Sequence, residues 1–117
     1  DLFLEYEWIL NKNVQLMTLT NEEGAVWQKR MTIWDAAASR IISFTTSSQG
    51  RCTQETVEVK NDRLTFDTEG ATAKGETTSG TMVIKKKGKD LFVVESRDRI
   101  VGGERQEDWS AELKRVK

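Results

Sequence analysis

Few side chains in this chain are of the kinds that do chemistry near neutral pH. His is absent, which removes the commonest metal ligand and the usual general base. Cys52 is the single Cys, so no internal disulfide can form and the redox compartment stays open. With no His to activate it, Cys52 reads as a small buried hydrophobe rather than a nucleophile. Carboxylates are plentiful, among them Glu5, Glu7, Asp35, Asp67 and Glu95. Paired acid–base work needs two of them together in a cleft, and spacing places no pair there. The run "GATAKGETTSG" from Gly70 to Gly80 lacks the lysine-serine end and the following helix of a phosphate-cradling loop. "KKKGKD" from Lys85 to Asp90 has no interleaved aromatics, and reads as a solubilising hairpin tip that also discourages edge pairing. No metal or cofactor is expected, and these absences weigh against zinc, haem and triad chemistry more than against binding.

Two groups of residues keep a functional reading. The first is aromatic: Tyr6, Trp8, Trp27, Trp34 and Trp109 are spread across strand-like segments. A ligand cavity needs such walls plus a few polar groups, while the plainer reading is that these rings simply fill a small barrel. The second is "LFVVESRDRI", Leu91 to Ile100. Leu91 and Val93 share an alternating face with Glu95, Arg97 and Arg99. If that face points inward, Glu95 and Arg97 stand near a cavity mouth, where Arg could grip a carboxylate or phosphate in bidentate fashion. If Phe92, Val94 and Ser96 point inward instead, those charges are solvated.

The elements that must position these residues are strands. "LFLEYEWIL" presents Leu2, Leu4, Tyr6, Trp8 and Leu10 on one side and Phe3, Glu5, Glu7 and Ile9 on the other; that is period two, a half-buried antiparallel strand. The turn "NKN" (Asn11 to Asn13), the strand "VQLMTLT", the loop "NEEG" (Asn21 to Gly24) and the strand "AVWQKRMTIW" follow. Then comes "DAAAS". Three alanines suggest a helix, but an isolated helix needs roughly 12–15 residues. Asp35 capping one turn, with Ala36 to Ala38 filling it, gives a tight connection into the β-branched "IISFTTSS". The remaining segments are read as "CTQETVEV", "RLTFDT" ending at Glu69 and Gly70, "ATAKGETT" turning at Ser79 and Gly80, "TMVIKK", "DLFVVESRDRI" and "RQEDWSAELKRV". About ten strands joined by connections of about three residues favour an antiparallel up-and-down β-barrel, which also removes exposed sheet edges.

Size and charge set the remaining bounds. The chain has 117 residues, and residues 1–117 are expected to form one domain, cut from a longer chain or freed of a leader. Its 18 basic and 19 acidic residues leave a net charge of −1, so nucleic acid and anionic membranes are not expected as partners. No apolar run approaches the ~20 residues of a membrane-spanning helix. The lack of an initiating Met tips the expectation toward export, with a cytoplasmic origin left open.

The blocks "EWILNKN" (Glu7 to Asn13), "IWDAAASRIISFTTSSQG" (Ile33 to Gly50) and "DRIVGGE" (Asp98 to Glu104), in this order and spacing, resemble lipocalin-like (calycin-type) β-barrel domains of uncharacterised bacterial families. Some of those domains follow a SnoaL-like or polyketide-cyclase-like domain. Two positions depart from the pattern: Ala36 stands where Pro is frequent, and Gln49 with Gly50 replaces a Gly-Gly corner. The resemblance implies a ten-strand barrel with a small-molecule cavity and transfers no catalytic residue. Related haem-binding barrels use a His that this chain lacks, and related fatty-acid-binding barrels use an Arg-x-Tyr pair in the last strands that is also missing here.

Three functions follow as expectations. The leading one is non-enzymatic binding of a small apolar or amphipathic molecule, with Tyr6, Trp8, Trp27 and Trp109 as walls and Glu95 and Arg97 at the mouth, Arg97 as anchor. The second is a packed barrel serving as an accessory or dimerisation module, as a homodimer or beside a partner domain. The third is a cyclase- or isomerase-like enzyme using an interior carboxylate such as Glu95, which requires burial that raises its pKa and no Arg partner.

Overall fold

The computed structural model describes residues 2–116. It contains ten strands and no helix among these residues: β1 (Leu2–Ile9), β2 (Val14–Asn21), β3 (Val26–Asp35), β4 (Arg40–Ser47), β5 (Cys52–Lys60), β6 (Arg63–Ala71), β7 (Thr77–Lys86), β8 (Leu91–Val101), β9 (Glu104–Arg105) and β10 (Trp109–Lys114). All pairings are antiparallel, β1 to β8 follow one another in the sheet, and both β9 and β10 pair with β8. The all-β antiparallel expectation therefore holds. The closed barrel is not seen: β1 and β10 are the two ends of the sheet and do not pair with each other. The sheet is nevertheless strongly curved, because residues of β1 and β10 line the same cavity.

Register decides which side chains share a face. The row Tyr6, Met17, Arg30, Thr45, Thr53, Gly70, Thr78 runs across seven strands as direct partners. Residues in phase with this row, an even number of positions along the same strands, include Trp8, Trp34, Ile41, Val57, Phe66 and Ile84, all of which line the cavity; this row marks the inner face. Two irregularities interrupt the alternation. Trp27 is an extra residue on β3, where the register shifts opposite Leu19 and Thr20. A second shift lies between Ser79 and Thr81 on β7; Asp98 and Arg99 then face Gly80 across it, with Asp98 at a φ of 52°. Such bulges re-aim the side chains beyond them.

The number of strands agrees with the sequence reading, but the partition differs. Gly70 and Ser79–Gly80 are not turns; they lie inside β6 and β7, and the chain reverses at Thr72–Glu76, with Gly75 at a φ of 86°. The last expected strand is broken into β9 and β10. The alanine stretch behaves as expected: the N–H groups of Ala37 and Ala38 donate to Asp35 Oδ1 at 3.1 and 3.3 Å, and β4 begins at Arg40. Cys52, expected to be buried, is exposed, because its register with Thr46 and Ala71 puts it on the outer face.

At Gly70 the backbones of β5 and β6 come into close contact. A Cβ there would collide with the Cys52 carbonyl oxygen and stand 2.7 Å from Thr53 Cα. Backbone atoms cannot swing aside as a flexible side-chain end can, so β5 and β6 approach this closely only with Gly at the contact. Gly70→Ala is expected to lower stability by about 1–3 kcal/mol, the range for overpacking, read as a lower urea midpoint with an unaltered m-value.

Candidate functional site

Between the end strands lies a cavity of about 1050 Å³. It takes its walls from nearly every strand because inner-face side chains converge where a curved sheet turns on itself. Leu4, Tyr6 and Trp8 of β1, Trp34 of β3, Phe92 of β8 and Leu113 of β10 are among them. Phe3 and Glu5, on the other side of β1, also reach it, as an edge strand without an outer neighbour permits. The buried apolar side chains are Val14, Met17, Phe66, Val83 and Val94; by register only Met17, Phe66 and Val94 belong to the inner face, while Val14 and Val83 lie on the outer one. Tyr6, Trp8 and Trp34 are 48%, 62% and 60% exposed, so these rings line a space instead of filling it.

The rim includes the connection from β1 to β2. Leu10, Asn11 and Lys12 adopt left-handed φ values of 49°, 58° and 65° in succession, and Lys12 and Asn13 line the cavity. Asn13 closes the turn through its N–H and its side-chain amide, both donating to the Leu10 carbonyl, at 3.2 and 3.1 Å. A left-handed Leu is disfavoured, and these two hydrogen bonds offset part of that strain.

Arg30 is the buried charged group among the residues that line the cavity. It sits on the inner face of β3, is only 7% exposed, and lines the cavity. Its side chain reaches from β3 to β6, where the guanidinium carbon lies 4.6 Å from the centre of the Phe66 ring. No carboxylate among the described residues lies within ion-pair distance of it, and its Nε has no hydrogen-bond partner.

A polar layer adjoins the cavity on β4 and β5. Glu55, 3% exposed, accepts from Ser43 Oγ at 2.6 Å and from Thr45 Oγ1 at 3.0 Å, both on Oε1, and from Thr53 on Oε2. The register makes this arrangement: Ser43 is the direct partner of Glu55, and Thr45 of Thr53. Arg51 stands close enough to feel both Arg99 and Glu55. Burial pushes its pKa below the ordinary arginine value, Arg99 adds to that, and Glu55 opposes both. Glu55 does not line the cavity, and with both oxygens occupied by hydroxyls it is poorly placed to take a proton from a substrate.

The residues expected from sequence separate cleanly. Tyr6 and Trp8 line the cavity, and so does Trp34. Trp27, displaced by the bulge, points to the outer face and is 45% exposed. Trp109 has the inner-face register through Ser96, but is 49% exposed and does not reach the cavity. Glu95 and Arg97 are on the outer face, since Phe92, Val94 and Ser96 are the inward set. There Lys85 Nζ lies 2.8 Å from Glu95 Oε1, and Arg97 donates from Nε at 3.0 Å and from Nη2 to Oε2. The hydrogen bond from Lys85, then that from Arg97, brings the Glu95 pKa down from 4.5 to about 2. Catalysis through Glu95 requires an interior carboxylate without an Arg partner, whereas Glu95 is an outer-face group paired with Lys85 and Arg97. Neither Arg30 nor Glu55 is marked by any motif in the sequence; the only trace of Glu55 is the hydroxyl set Ser43, Thr45 and Thr53.

The Glu95 cluster yields a pH prediction. Its carboxylate is more acidic folded than unfolded, so its contribution is complete above about pH 4.5 and is lost as pH falls toward 2. Glu95→Gln should flatten the fall in urea midpoint between about pH 5 and about pH 2.5, and added salt should shrink the difference from wild type.

A second recess of about 530 Å³ lies on the outer face, lined by Arg40, Asp67, Glu69, Thr81 and Asp98 among others. No cluster of three or more metal-ligating side chains occurs among the described residues. No helix there is long and apolar enough to cross a membrane. Compared with known proteins, the chain matches no family model and no curated sequence.

Proposed function

We propose that this protein binds a small amphipathic molecule in the lumen of its curved sheet, without transforming it. The observation that carries the reading is the cavity of about 1050 Å³ with aromatic and aliphatic walls, at the upper end of the roughly 300–1,000 Å³ range of small-molecule sites. In this reading the fold is a lipocalin-like barrel, and β1 and β10 are the lips between which the ligand enters. Tyr6, Trp8 and Trp34 form the aromatic wall, and Arg30 replaces Arg97 as the polar anchor.

Native mass spectrometry of gently purified protein, set beside its denatured mass, tests this. A reproducible added mass of a few hundred daltons is expected, or, from bare protein, quenched Trp emission on titration with a fluorescent apolar probe. A bare mass together with no saturable probe binding overturns the reading.

Assembly as a module keeps one observation of its own. β1 is an unpaired edge on which Leu2, Phe3, Tyr6 and Trp8 are 50%, 41%, 48% and 62% exposed, and such edges invite pairing with another chain. A predominant dimer in the same spectrum would favour that role.

A further inference from the structure

We infer that Arg30 receives the carboxylate of an acidic ligand, so that the cavity selects apolar-chain acids over neutral molecules of the same length. This rests on the cavity reading above and adds the chemistry of the head group. A guanidinium withdrawn from water is normally matched by a carboxylate, because the unpaired charge is strongly disfavoured. Arg30 is 7% exposed and has no such match among the described residues. The one carboxylate buried on the inner face, that of Glu55, is committed to Ser43, Thr45 and Thr53.

The stacking geometry shows what is missing. The guanidinium carbon lies 4.6 Å over the centre of the Phe66 ring, and a ring offers a cation electron density but no lone pair to accept an N–H bond. The five donors of the fork lie in its plane, and Nε, one of them, is buried without an acceptor. A group that meets these donors beside Phe66 must be compact, anionic and rich in acceptors; a carboxylate fits the fork in bidentate fashion. Since Arg30 lines the same cavity as Trp8, Trp34 and Phe92, the acid's chain has apolar walls to lie against. Preorganisation helps: the stack already fixes the side chain, so little rotamer freedom is lost on binding.

The test compares dodecanoate with dodecan-1-ol, titrated into wild-type protein and into Arg30→Met and Arg30→Lys, with Trp emission and calorimetry as readouts. Wild type is expected to prefer the acid by about tenfold or more, about 1.4 kcal/mol per factor of ten. Arg30→Met should bind acid and alcohol alike, and Arg30→Lys, which keeps the charge but not the fork, should fall between. Equal binding of the two ligands by wild type overturns the inference and leaves the cavity reading standing. A preference that survives in Arg30→Met also overturns it, by placing the head group elsewhere. Binding of neither ligand overturns both. The unliganded proteins give an independent readout: Arg30→Met is expected to raise the urea midpoint, because it removes an unmatched charge. A lower midpoint would show that the guanidinium is already satisfied without a ligand, and would count against the inference.

Discussion

Glu55→Ala is expected to destabilise the protein by about 3 kcal/mol or more, the sum of one fully buried and two half-buried hydroxyls losing a charged acceptor. The carboxylate accepts from Ser43, Thr45 and Thr53, and Ser43 is fully buried. Hydrogen bonds to a charged group contribute about 1.5–3 kcal/mol each, and relief of the buried carboxylate's own desolvation offsets part of the loss. The second recess, which Glu55 helps to line, gives water a route to part of the gap, but Ser43 is fully buried. Because a domain of this size is stable by about 5–15 kcal/mol in total, the variant should lose a large share of its folded population on modest heating. Glu55→Gln separates charge from shape. It keeps the volume and one acceptor, but its amide must donate to a hydroxyl that previously donated, so one of the three reverses direction. A loss of about 1–2 kcal/mol is expected for it. Urea unfolding of both variants decides the matter: losses below about 0.5 kcal/mol would mean that the hydroxyls find other partners and that the cluster is not a structural tie.

How far the sequence reveals this molecule depends on whether a feature is local. Turn chemistry is local, and Asp35 capping the alanines, Gly24 ending its loop and the strand-like character of most segments are all legible from residue types. Gly70 misleads because Gly serves two purposes. It makes turns through positive φ, and it permits close approach of strands. Only the approach of Cys52 and Thr53 from β5 shows which purpose applies, and that contact is set by the curvature of the whole sheet.

Faces are legible on β1, where Leu2, Leu4, Tyr6 and Trp8 line the cavity, and obscure on the central strands. On β3 the alternating set Trp27, Lys29, Met31 and Ile33 carries more apolar side chains than Gln28, Arg30 and Thr32, yet the second set lies on the inner face with Trp34, and of the first only Ile33 reaches the cavity. A partly hollow interior tolerates polar side chains, so the rule that the apolar side is the inner one loses its physical basis there. The same holds on β5, where Thr53 and Glu55 point inward. On β8 alternation would keep Arg99 with Arg97, but the bulge at Asp98 turns Arg99 to the inner face while Arg97 stays outside. One inserted residue reverses every assignment beyond it. The openness between β1 and β10 is equally invisible locally, because ten strands of this length could close or stop short with the same hairpins.

Phe66→Ala is the second large effect, and it separates a cavity wall from a core residue. Phe66 is 3% exposed, and removing a buried Phe side chain ordinarily lowers stability by about 3–5 kcal/mol through lost transfer energy and an unfilled space. Here the space would open into an existing cavity, so water can enter it and the void term shrinks; a loss near the lower end, about 3 kcal/mol, is expected. The guanidinium of Arg30 would lose the ring beneath it as well, a further loss of about 0.5–2 kcal/mol for a desolvated pair. Phe66→Leu keeps much of the volume without the ring, and should lose only about 1–2 kcal/mol. The two variants should also diverge in binding. Phe66→Ala enlarges the lumen and frees Arg30 to move, so a short-chain acid should bind it more weakly than it binds Phe66→Leu. If urea unfolding showed Phe66→Ala to be within about 1 kcal/mol of wild type, Phe66 would belong to a surface that rearranges freely. The stacked Arg30 could not then be a fixed feature of the site.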